Sequence, residues 1–180
     1  LDDTGALIVA QGHGQYQETA LQKGICYAAS QAATTWSVAL NATHTGLVVS
    51  NPMNSTVILV MLKAGFALSV APVAIAHVGF FGGYSSTGIT AHTTPLTPGN
   101  TYLGTNRGQG LADAAATLVG TPVWLMPFLG GFTAGALFGT TPSVIDLGGI
   151  FVVPPGAYFG IGALTAVIGF GSLVWEEIAI

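Results

Sequence analysis

Val57-Ile58-Leu59-Val60-Met61-Leu62-Lys63 is the stretch on which the fold turns. It is a short, nearly unbroken apolar run, rich in β-branched residues, and it reads as a strand buried on both faces. Directly before it, Ser50-Asn51-Pro52-Met53-Asn54-Ser55 combines Asn, Pro and Ser, each with its own turn chemistry. Directly after it, Gly65 sets off a second run over 66–70, and Pro72 sets off a third over 73–81. This spacing predicts a meander of antiparallel strands.

Upstream, residues 46–49 form another short run, and Trp36-Ser37-Val38-Ala39-Leu40-Asn41 alternates apolar and polar like a half-buried strand. Residues 1–35 are the most polar part of the chain and read as an N-terminal arm. Within them 15–24 form either a short helix closed by Gly24 or an extended segment. Downstream, residues 82–110 read as a long loop, carrying Gly82-Gly83, Ser85-Ser86-Thr87-Gly88, Pro95, Pro98 and Gly99. A connection of that length is expected to pack on a neighbouring subunit or to face solvent. Residues 111–119 suggest a helical turn. Strands return at 123–128, 133–138, 144–153, 158–163 and 173–180, with Pro154-Pro155-Gly156 as a turn between two of them. Nine to eleven short strands and almost no helix predict an all-β chain. The expected architecture is an antiparallel β-sandwich or barrel-like domain over 36–180, preceded by the extended arm of 1–35.

The 180 residues are 51% hydrophobic and include 26 glycines, while only 6% are charged, against about 25% in an ordinary domain. So few charges are thin cover for a solitary soluble monomer. Much of the surface is therefore expected to lie against copies of the chain, a larger assembly or lipid. Lys23, Lys63 and Arg107 are the only cations apart from histidine, too few for the basic face that nucleic acid requires. The single cysteine, Cys26, excludes an intrachain disulfide framework and a cysteine-rich zinc site. Leu1-Asp2-Asp3-Thr4 is acidic and does not read as a signal peptide; the missing initiator Met suggests processing. The two most apolar windows read poorly as membrane helices. Residues 57–81 contain Lys63, Pro72 and His77, and 161–175 contain Gly162, Gly169 and Gly171. Neither has a cationic flank. A transmembrane barrel needs one polar face per strand, and many of these strands look apolar on both.

Candidate chemistry is sparse. His13, His44, His77 and His92 show no i, i+4 pair and no HExxH. Glu176 and Glu177 are adjacent and point to opposite faces of a strand. Asp146 sits in an apolar strand and is expected to bond backbone or a cation, whereas Asp113, Asp2 and Asp3 read as unpaired surface carboxylates. Cys26 reads as a buried structural residue. There is no GxSxG elbow and no glycine-rich phosphate cradle. Asn41-Ala42-Thr43 and Asn54-Ser55-Thr56 fit a glycosylation sequon, a pattern that chance often supplies. The reading leads to no enzyme, no cofactor and no metal.

Several segments taken together resemble a known family. His13-Gly14 through Tyr16 and Glu18 to Gly24 is similar to the N-terminal arm of a family of tailed-bacteriophage structural proteins. So are Thr45-Gly46-Leu47-Val48-Val49-Ser50-Asn51-Pro52 with Asn54-Ser55, Asp146-Leu147-Gly148-Gly149 leading to Val153-Pro154-Pro155-Gly156, and the ending Val174-Trp175-Glu176-Glu177-Ile178. They occur in the family's order and cover most of the chain outside the middle loop. The chain departs from the family in its low charge and in Met53-Asn54, where a small residue or glycine is usual.

The resemblance implies a capsid decoration or cement protein: β-rich, commonly a homotrimer, bound to the major capsid protein on the outside of the virion head. It supplies no catalytic residue. Within this reading His13, Tyr16, Glu18, Lys23 and Tyr27 are the expected capsid or subunit contacts, and Asn51, Pro52, Pro154, Pro155 and Gly156 are structural turn residues. The sandwich body would form the trimer. Two other classes compete: a glycan- or receptor-binding tail module exposing Trp124, Tyr84 and Tyr102, and an integral membrane protein.

Overall fold

A computed structural model describes residues 25–37, 40–85, 89–103, 108–132 and 143–180, with no account of the side chains of 128–132. The described elements are all strands. They run β1 (Cys26–Thr35), β2 (Thr43–Ser50), β3 (Val57–Leu68), β4 (Ala76–Tyr84), β5 (Ala91–Leu96) and β6 (Gly99–Asn100). They continue as β7 (Leu111–Thr117), β8 (Val123–Phe132), β9 (Ser143–Asp146), β10 (Val152–Val153), β11 (Ala157–Ala163) and β12 (Ile168–Ala179). The first sheet has the order β10-β3-β12-β1-β6, with β9 also on β3; the second has the order β5-β7-β2-β11-β4-β8. Every pairing is antiparallel. The two sheets pack face to face as a β-sandwich, the expected fold class.

The core lies between them. Leu59, Met61, Ala64 and Phe66 of β3 and Leu173 and Trp175 of β12 meet Leu47 and Val49 of β2, Phe80 of β4, and Phe159 and Ile161 of β11. Phe80, Phe151 and Phe159 form an aromatic cluster with ring centroids 5.0–6.1 Å apart. The period-two alternation of a strand puts these residues on one face. In β3 the alternation slips once, because Met61 pairs with Trp175 and Lys63 with Val174, which leaves Leu62 as an extra residue in a bulge.

The two expected turns are one structure. Asn51 is buried, and its Nδ2 donates to Val57 O at 2.8 Å and Val153 O at 3.0 Å. Its carbonyl accepts from Gly156 N at 2.8 Å, and its own N–H donates to Ala157 O at 3.0 Å. Gly156 has φ +86°, a conformation that glycine adopts without a Cβ penalty. Pro52, Pro154 and Pro155 thus belong to two reverse turns pinned together at one end of the sandwich.

Several expectations are corrected. The last ten residues of the supposed arm are β1, an interior strand between β12 and β6. Tyr27, a proposed contact residue, is buried with its ring 6.3 Å from Trp175, so it faces the core and no partner. Residues 82–110 are not one loop: they contain the end of β4, all of β5 and β6. Residues 111–117 form β7, not a helical turn, since an alanine-rich segment held between β2 and β5 takes the sheet's conformation whatever its own preference. Finally, β3 runs through Gly65 without a break, and its outer positions Ile58, Val60 and Lys63 are only half-buried. The strand expected at 36–41 is not formed at 36–37 or 40–41. Instead Trp36 turns inward and its Nε1 donates to Gly169 O at 3.2 Å. The helix-or-arm segment 15–24 and the strand expected at 133–138 lie outside the described residues.

Candidate functional site: the outer faces and the open edge

An antiparallel sandwich ordinarily presents polar outer faces to water. The outer face of the second sheet here is apolar and covered. Val48, Phe81, Ala116, Leu118 and Tyr158 form a second buried cluster, with Leu40 and Ile89 packed on it. His44 belongs to this layer: its ring meets Phe81 edge-on at 4.7 Å, and its Nδ1 lies 3.3 Å from Ser37 Oγ. Burial pulls the His44 pKa down to about 4, so the imidazole is neutral at pH 7. Asp113 lies on the same face and is fully buried, which corrects the expectation of a surface carboxylate. Its Oδ2 is 2.7 Å from His92 Nδ1. Burial raises the Asp113 pKa, against the lowering effect of the His92 hydrogen bond and charge.

The remaining titratable groups are dispersed. Glu177 is buried and accepts from Gln109 N and Gly110 N, both at 2.8 Å, and from Trp175 Nε1 at 3.3 Å. Its role is to tie the 108–110 segment across the end of β12. Asp146 is exposed and accepts from Gly148 N at 2.9 Å, so the expected backbone bond is present although the site is not buried. Cys26 is a buried thiol. His77 is exposed on β4. Among the described residues no three His, Cys, Asp or Glu side chains come together as a metal site. His13, Tyr16, Glu18 and Lys23 lie outside the described residues.

The outer face of the first sheet is apolar too, but open. Cross-strand register places Ile58 beside Ile178, Val60 beside Val152 and Glu176, and Ala67 beside Phe170. Lys63 stands between Val174 and Asp146, and Val144 lies next to Gly65. Val144 is 67% exposed, Val152 50%, Phe170 44% and Ile178 41%. This surface exposes apolar side chains, broken by one small island of both charge signs. Its signal was present in the sequence as strands apolar on both faces.

A second apolar surface lies along β8, the edge of the second sheet. Trp124, on the outer side, rests on a floor of glycines: a Cβ at Gly79 or Gly162 would meet its ring at 3.1 Å. Beside it, His77, Met126, Pro127 and Leu164 enclose a groove of about 340 Å³. On the inner side, Val123, Leu125, Phe151 and Val152 line another of about 350 Å³, where the sandwich mouth between β8 and β10 stands open. Of the aromatics expected on a glycan-binding surface, Tyr84 and Tyr102 are exposed and Trp124 is partly so. No residue pattern in the sequence announced this edge, because strand order decides which strand is last.

No helix among the described residues is long and apolar enough to cross a membrane. No protein-family model, curated protein or solved structure matches the chain.

Proposed function

We propose that this chain is a structural virion protein that decorates the outside of a phage head, holding its lattice through non-covalent contacts as a homo-oligomer, with a trimer as the expected order. The observation that carries the reading is the open apolar outer face of the first sheet. A contiguous exposed patch of this kind marks an interaction surface. Its extent suits a shell contact: β3 has 12 residues, which at about 3.3 Å each is roughly 40 Å of strand. The ordered resemblance of the turn, Asp146–Gly149 and C-terminal segments to phage head proteins supports the same assignment. The polar residues before β1, His13, Tyr16, Glu18 and Lys23 among them, are the second proposed contact with the major capsid protein.

The test is co-sedimentation with empty tailed-phage heads assembled without their decoration protein. The wild-type chain is expected to pellet with the shells, and a Phe170→Glu, Val144→Glu variant to remain in the supernatant while keeping its β-sheet circular dichroism. Equal binding by the folded variant, or no binding by the wild type, would overturn the proposal.

A further inference from the structure

We infer that the two opposite edges of the second sheet are complementary halves of one copy-to-copy contact, in which the Pro95–Pro98 segment of one copy docks against the Trp124 groove on the β8 edge of the next.

The groove is built for a flat, uncharged ring. Gly79 and Gly162 let the Trp124 indole lie down on the sheet, and the indole is 39% exposed. Met126, Pro127 and Leu164 extend the apolar wall, and among the described residues His77 is the one ionisable side chain in the lining. A sugar needs several hydrogen-bond partners for its hydroxyls, and a charged ligand needs a counter-charge; the lining offers neither in number. Proline rings on an extended backbone need only an aromatic platform and apolar walls.

The opposite edge supplies such a segment. Pro95-Leu96-Thr97-Pro98 leaves β5 and crosses from the second sheet to β6 in the first. Pro95 and Leu96 end the β5 strand, Pro95 and Thr97 are exposed, Pro98 is half-buried, and the segment carries no charge. The β5 strand is exposed from Ala91 to Pro95 and half-buried at Leu96.

Two features favour a head-to-tail contact over a symmetric pairing of two β8 edges. Pro127 lacks an N–H and stands in the middle of β8, and the β4–β8 ladder shifts register three times. Both features blunt an edge against ladder extension, leaving side-chain docking as the available mode. Because the halves sit on opposite edges of one sheet, every copy offers one of each. Such a heterologous contact closes into a ring or grows as a fibre.

This inference rests on the reading of the chain as an assembly protein, yet it fails separately. Shell binding depends on Phe170 and Val144, on a different face, while self-association in free solution depends on Trp124 and Pro95–Pro98. The experiment is native mass measurement on the full chain and two variants, Trp124→Ala and the double variant Pro95→Ala, Pro98→Ala. The wild type is expected at three chain masses or more, and each variant alone at one. An equimolar mixture of the two variants is expected to give dimers and nothing larger, because only one intact groove and one intact proline segment can meet. A wild-type monomer, an unchanged mass for either variant, or a mixture without dimers would overturn the inference. So would a wild-type monomer whose Trp124 fluorescence shifts on adding an oligosaccharide, which would give the groove to a sugar. If Trp124→Ala loses its β-sheet circular dichroism, Leu164→Gln in the same groove replaces it, with the same outcomes.

Discussion

Asn51 shows how much a single side chain decides. It reaches two carbonyls from different parts of the chain, Val57 O and Val153 O, and is itself buried. Truncation would remove one donor from each acceptor, Val57 O keeping Ser55 Oγ at 3.2 Å, and each lost buried bond costs about 1–3 kcal/mol. Asn51→Ala is therefore expected to lower unfolding free energy by about 2–4 kcal/mol in a urea titration. Asn54→Ala, on the exposed part of the same turn, is expected to stay within about 0.5 kcal/mol. His44 makes stability depend on pH. Its folded pKa is depressed from 6.5 to about 4, so the unfolded chain takes up its proton first as pH falls. The His44 contribution is full above pH 6.5 and is lost progressively down to about pH 4, a change of order 3 kcal/mol. Asp113 works in the opposite sense: its raised folded pKa makes its contribution greatest below the unfolded value of 3.8 and smaller as pH rises through the folded one. Urea midpoints of the wild type are expected to fall between pH 6.5 and 4 more steeply than those of His44→Phe, which keeps a ring against Phe81 and removes the titration.

At the level of elements, neighbouring strands within a sheet pack closely where glycine allows it. A Cβ at Gly160 on β11 would stand 2.6 Å from Phe81 Cζ and 2.9 Å from Leu47 O. One of these neighbours is backbone and cannot yield, so Gly160→Ala is expected to destabilise by about 1–3 kcal/mol. Thermal unfolding of the variant against the wild type checks this. The same strands show how far elements are legible in sequence. The 57–63 run, the turn at 51–55 and the Pro154-Pro155-Gly156 turn were readable because β-branched runs and turn formers act locally. The 111–117 segment was not, since alanine favours helix and only its neighbours β2 and β5 impose a strand. Gly65 read as a break because glycine usually weakens a strand. It pairs instead with Ser172, and a Cβ there would stand 2.6 Å from Ser172 Oγ.

At the scale of the molecule, the two outer faces differ in kind. The second sheet covers its apolar outer layer with Leu40 and Ile89 among others, whereas the first leaves Val144, Val152, Phe170 and Ile178 exposed. Charges added to the first face should therefore cost the fold little, since these side chains already meet water. The Phe170→Glu, Val144→Glu variant is expected to unfold within about 1 kcal/mol of the wild type, as read by denaturant titration. The candidate site was only half legible. A sequence poor in charge and rich in two-faced apolar strands predicted an apolar outer surface, and the first sheet exposes one. Tyr27, expected as a contact residue, is buried in the described structure, because β12 places Trp175 against it.

By itself the sequence determined the all-β class, the turns that pin the sandwich ends, and the shortage of charge. These are local or additive properties: propensity, turn chemistry and composition need no knowledge of which strands meet. The tertiary structure alone decided strand order, and with it which apolar face is covered, which edge carries Trp124, and which carboxylate is buried. Those properties belong to pairings between residues distant in the chain, such as Asp113 with His92 or Asn51 with Val153. A pairing of that kind is set by the register of whole sheets.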